Sequence, residues 1–179
     1  MIFKPITKVL TFGIVDQIAQ DIYKQIVWEY IIYSIKVGLF AGLVIAVVGI
    51  ILGFFKATTL DLTTYTGCML SGTNKGPAPF IVGFSVHMIA SAGFGVAYLY
   101  LIHTFKIPPT LPYALALGAA HTFFSGSLML LLDVINPCTR NKMVPYVGFM
   151  GTAQGLSAML AYVFTHMLFA VIVFNLLMR

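Results

Sequence analysis

The sequence predicts an all-α integral membrane protein, and three observations predict it. Four apolar stretches reach the length of a bilayer crossing. Hydrophobic residues make up 60% of the chain and charged residues 8%, where a soluble domain carries about a quarter charged. Ahead of the first stretch, apolar and polar residues separate onto opposite sides at helical spacing. So few charges cannot solvate a globule in water, and lipid is expected to be part of the solvent. A chain of 179 residues leaves room for one compact bundle. The expected architecture is a four-helix transmembrane bundle over 37–179, preceded by an N-terminal amphipathic, interfacial segment over 1–36.

The N-terminal segment comes first. Val15, Ile18, Ala19, Ile22 and Ile26 share one side of a helix, with Asp16, Gln17, Gln20, Asp21 and Lys24 on the other. Trp28, Tyr30 and Tyr33 follow where an aromatic belt meets the first span. Residues 12–33 are therefore expected on the membrane surface, with docking on a partner subunit as the other reading. Lys4 and Lys8 imitate the charged start of a signal peptide, but Asp16 to Asp21 interrupt any apolar core behind them. The segment is expected to be retained.

A crossing needs about 20 apolar residues. The first span is read at 37–55, bracketed by Lys36 and Lys56. The second, 80–102, follows Pro77 and Pro79 and closes at His103 and Lys106. The third, 113–132, starts at Pro112 and stops at Asp133, Asn136 and Pro137. The fourth, 147–177, is longer than a perpendicular crossing needs and is expected to tilt or project. Between the first two, the Thr- and Gly-rich 56–78 stretch lacks the order of a phosphate-binding loop and reads as an exposed turn region.

Four spans put both termini and the loop at Lys106 on one side. That side holds Lys4, Lys8, Lys24, Lys36, Lys106 and Arg179, against Lys56, Lys75, Arg140 and Lys142 on the other. The excess places the termini in the cytoplasm of a bacterial or archaeal plasma membrane, with an organellar membrane as the other choice. The basic residues stand singly at the ends of apolar runs, which fits lipid headgroups and not nucleic acid. The two halves also look alike, each a helix, a loop with one cysteine, and a helix carrying His-Met (His87-Met88, His166-Met167). Duplication of a hairpin would produce this, although the cysteine-to-histidine spacings differ.

Small residues recur on one face of each span. In the first they are Gly38, Gly42, Ala46, Gly49 and Gly53. Lipid gives helices no hydrophobic reason to associate, and close backbone approach over small residues supplies packing instead. Helix packing is the expected role of Gly38, Gly42, Gly49 and Gly53, and docking of another subunit is the sharper one. His87, His121 and His166 fall inside spans, where ionisable residues are functional candidates. Counting from the span ends at 1.5 Å per residue puts all three roughly 12–20 Å deep, near the midplane. They could ligate haem b, hold a metal or relay protons. The plainer reading is hydrogen bonding between neighbouring helices. Cys68 and Cys138, the sole cysteines, both lie in loops away from the termini and could form a disulfide there. Neither loop offers the further Cys or His of a zinc site. Asp133 is expected at a helix end within reach of water.

No hydrolytic triad, Gly-x-Ser-x-Gly or His-Glu-x-x-His motif is present. The leading expectation is therefore a small non-catalytic accessory or structural subunit of a larger membrane complex, its partners being lipid and other membrane subunits or copies of itself. The alternative is an electron-transfer subunit holding haem b or a quinone at His87, His121 and His166. A small transporter ranks third, because no Asp or Glu lies within a span to couple an ion.

Overall fold

The computed structural model describes the backbone of residues 4–179, and the side chains from 17 onward except 18, 19 and 23. The described residues are helical, without strands: α1 (Lys4–Phe54), α2 (Leu62–Ser71), α3 (Ala78–Phe105), α4 (Leu111–Ile135), the single turn α5 (Pro137–Arg140), a 3-10 stretch (Phe149–Gln154) and α6 (Leu156–Leu177). Four of them, α1 over Gln20–Phe54, α3, α4 and α6, are long and apolar enough to cross a membrane. Their outer faces are greasy: on α4, Phe123, Phe124, Leu131 and Val134 are all more than half exposed. Exposing such a surface to water costs about 25 cal/mol per Å².

Three elements differ from the sequence expectation, each for a local reason. The predicted surface segment and first span are one helix. No proline or glycine interrupts 14–37, so nothing in the backbone turns the chain between them. At 1.5 Å per residue, its 51 residues make a rod of roughly 76 Å. Val15, Asp16, Ile18 and Ala19 of the predicted amphipathic pattern lie outside the described side chains. The predicted fourth span is too long at its start. Gly148, Gly151 and Gly155 take φ of 70°, 83° and 99°, a left-handed region that an α-helix does not visit. The 3-10 stretch ends there, and α6 begins at Leu156. Its 22 residues cover about 33 Å, so no excess length remains to tilt or project. Finally, the predicted turn region contains α2. Asp61 caps it by accepting from the Thr64 amide at 2.9 Å, and Gly72 ends it at φ 71°.

At the end bearing the chain termini, α1 lies between α3 and α6. Gly38 and Gly95 bring the α1 and α3 backbones together: a Cβ on Gly38 would stand 3.1 Å from Gly95 Cα and collide with the Ser91 carbonyl. Val37, Ala41 and Ile45 of α1 pack with Phe169, Ala170 and Val173 of α6. Tyr33 Oη donates to the Leu176 carbonyl at 2.9 Å, joining the same two helices. Gly118 of α4 receives Met167 and Ala170 of α6.

The opposite end is built differently. α2 lies against the start of α3, where Gly67 admits the Pro79 carbonyl and Gly83 the Thr63 carbonyl. Cys68 and Cys138 are joined in a disulfide, with Cα atoms 6.1 Å apart, which ties α2 to α5. Beneath it Asp133 is buried, at 6% exposure, where the sequence had suggested contact with water. Its carboxylate accepts from Tyr65 Oη at 2.8 Å, from the Val147 amide at 3.1 Å and from the Gly148 amide at 2.6 Å. A short acid near a helix end can turn inward when the following loop supplies donors, as this one does. Burial, and then the bond to Asp133, push the Tyr65 phenol up to about 12, so it stays a donor throughout the neutral range.

Candidate functional site

Between these two ends lies a cavity of about 330 Å³. It exists because α1 packs closely on its neighbours only as far as Ile45. Beyond that point its small residues meet nothing: a Cβ on Gly49 or Gly53 would find no atom within 4 Å. The space is bounded by Phe80 and His87 of α3, by Ala161, Thr165 and His166 of α6, and by the connection running from Thr58 to Thr63, and it opens to one side. From Ile45 to Gly53 along α1 is about 12 Å, which sets the depth from the histidines to the rim. The walls are mainly apolar, with Ile45, Ile50, Leu52 and Leu60 among them.

Two of the three predicted histidines line this cavity, and the third stands behind them. His87 places Nε2 2.9 Å from the Gly42 carbonyl of α1. His166 places Nδ1 2.8 Å from the Tyr162 carbonyl one turn earlier, and its ring stacks on Tyr162 with centroids 4.1 Å apart. His121 is buried and does not reach the cavity. It packs 3.9 Å from the Phe94 ring and 5.2 Å from His166, centroid to centroid, with Nδ1 3.5 Å from Tyr98 Oη. Tilted over Phe94 and edge-on to His166, the ring needs no further ligand to hold it.

Haem between His121 and His166 does not fit this arrangement. Metal–imidazole bonds of about 2 Å on opposite sides of an iron place the two ring centroids roughly 6 Å apart, with the porphyrin plane between them. These rings are 5.2 Å apart and nearly perpendicular, leaving no slot for a macrocycle. No group of three or more His, Cys, Asp or Glu suited to a metal occurs among the described residues.

The four glycines of the α1 stripe divide in half. Gly38 and Gly42 meet α3 at Ser91, Gly95 and His87, whereas Gly49 and Gly53 line the cavity. The rim residues Thr58, Asp61 and Thr63 were missed in the sequence because their segment reads as an exposed turn. The one available signal was the Asp61-x-x-Thr64 spacing, which suits a helix cap. Thr165 was missed as well, although it precedes His166 directly. The disulfide and the Asp133 cluster hold α2 and the 144–155 connection in place, so they fix this rim from outside. No protein-family profile, curated protein or solved structure matches the chain.

Proposed function

We propose that this is an integral membrane protein that holds an apolar small molecule in the cavity between α1, α3 and α6. The observation that carries this reading is the cavity itself: about 330 Å³, greasy walls, and two histidines at its inner end. Small-molecule sites occupy roughly 300–1,000 Å³ and combine apolar walls with a few placed polar groups. The histidines lie at bilayer depth, where polar side chains are costly and mark ligand or ion paths. Of the sequence alternatives, this keeps the quinone-sized ligand and drops haem held between His121 and His166. Termini in the cytoplasm suit this reading, since the disulfide end then faces an oxidising compartment.

The test is extraction. Protein purified in mild detergent is extracted with organic solvent, and the extract is analysed by mass spectrometry beside that of Gly49→Leu, whose side chain enters open space and fills the cavity. A stoichiometric apolar compound should leave with the wild type and be missing from the variant. Identical bulk lipids from both would overturn the proposal.

A second reading, the accessory subunit, is favoured by one observation. α1 is some 46 Å longer than a bilayer core of about 30 Å, and along its described outer part Ile22, Ile26, Val27 and Trp28 are exposed. A helix with that face suits a partner subunit. Native electrophoresis of membranes solubilised in mild detergent should then show a complex that Ile22→Lys/Ile26→Lys dissolves. Migration of both proteins as the isolated chain would remove the subunit reading and leave the cavity reading intact.

A further inference from the structure

Resting on the cavity reading, the geometry points to a ligand of one kind: a hydroxyl-bearing apolar molecule that donates its hydrogen bonds to His87 and His166. The reason lies in the tautomers. A backbone carbonyl can only accept. The His87 nitrogen facing the Gly42 carbonyl, Nε2, must therefore carry the proton. The His166 nitrogen facing the Tyr162 carbonyl, Nδ1, must carry it too. A neutral imidazole has a single N–H, and charge is expensive at this depth. What remains on each ring is a lone pair, on His87 Nδ1 and His166 Nε2.

Thr165, beside the histidines, repeats the pattern. Thr165 Oγ1 donates its proton to the carbonyls of Ala161 and Tyr162, at 2.9 and 3.0 Å, so lone pairs are left. Asp61 is acceptor-only when ionised, and one of its oxygens already caps α2. At the rim, Thr58 Oγ1 accepts from the Leu60 amide at 3.1 Å, and the Thr58 and Thr63 hydroxyls keep protons to donate. Among the described residues, no Lys, Arg, Asn, Gln, Trp or Tyr lines the cavity. At its inner end the cavity thus offers acceptors to whatever enters, and an acceptor that a ligand covers without donating to it loses its hydrogen bond. A molecule bearing only carbonyls or ethers would leave these lone pairs facing its own. A quinol, or an acylglycerol with a free hydroxyl, would satisfy them.

The experiment compares matched ligands on the full-length wild-type protein in detergent, by equilibrium binding under anaerobic conditions. The probes are a decyl benzoquinol, its oxidised benzoquinone and its dimethyl ether, and separately a medium-chain 1,2-diacylglycerol and the corresponding triacylglycerol. We expect the hydroxyl-bearing member of one series to bind about tenfold tighter than its capped or oxidised partner, the size of one hydrogen bond to a buried group. The series that shows the preference identifies the source of the hydroxyl. His166→Phe, which keeps a ring against Tyr162, should weaken the preference while retaining binding, since His87 still accepts. The wild-type comparison stands even if that variant does not fold. Equal binding within both series would overturn the hydroxyl inference and leave the cavity reading standing. Failure of every probe to bind would overturn the cavity reading as well.

Discussion

The two halves of the α1 glycine stripe have the same spacing and opposite fates. Gly38 and Gly42 are pressed against α3, so closely that the Gly38 and Gly95 backbones meet, while Gly49 and Gly53 border empty space. What separates them lies outside α1. Toward the termini, α3 and α6 close on α1 around Val37, Ala41 and Ile45. Toward the other end, α2 and the disulfide-linked connections occupy the periphery and α1 stands clear. A run of small residues therefore permits close approach without guaranteeing it. One half is a packing device, and the other is a way of leaving room.

The comparison breaks most severely at the disulfide. It closes a separation of 70 residues, so its loss in Cys68→Ser is expected to cost about 4 kcal/mol in the chain-entropy model. The damage should be one-sided. α2 and the cavity rim lose their anchor, while the Gly38–Gly95 crossing keeps all its contacts. Thermal unfolding followed with and without reductant should show the wild type falling to the level of Cys68→Ser, and Cys68→Ser unaffected by reductant. Indifference of the wild type to complete reduction would mean that the Asp133 cluster alone holds that end. A cysteine introduced at the exposed Lys75 position of a chain lacking Cys68 and Cys138 also reports orientation. A membrane-impermeant reagent should label it in intact cells if the termini are cytoplasmic, and labelling only after lysis would reverse the assignment.

Much of the fold was legible, because spanning helices announce themselves by length and apolarity, independently of their neighbours. The predicted 80–102 and 113–132 both fall inside the helices observed, Ala78–Phe105 and Leu111–Ile135. Legibility failed where the outcome depended on a partner or on one dihedral. The run from Val147 to Leu177 carries no charge, and although Thr152 and Gln154 interrupt its apolar character, it is the positive φ of Gly148, Gly151 and Gly155 that shows its first turns are not α-helix. Asp133 reads as wet because sequence reveals neither Tyr65 nor the Val147 and Gly148 amides converging on it. At the site, counting residues gave depth, and the structure places His121 and His166 side by side. It could not give azimuth, so it did not show that His121 points into packing while His87 and His166 face a cavity.

The smallest expected effect sharpens the comparison most, because it is a change of sign. A single methyl added at Gly38 has no space: it meets the Ser91 carbonyl and lies 3.1 Å from Gly95 Cα. Backbone on both sides cannot yield as a side chain would, so Gly38→Ala should destabilise by about 3 kcal/mol, at the upper end of ordinary overpacking. The same methyl at Gly49 meets nothing within 4 Å. There the remaining consequence is local: alanine restricts the unfolded backbone and favours helix over glycine by about 0.5–1 kcal/mol. Gly49→Ala should thus unfold at a slightly higher temperature than wild type, and Gly38→Ala at a clearly lower one, in the same detergent. If Gly49→Ala instead loses stability comparably to Gly38→Ala, a second chain is already packed against that face. The upper half of the stripe would then be an interface, and the cavity would belong to an assembly and not to the single chain.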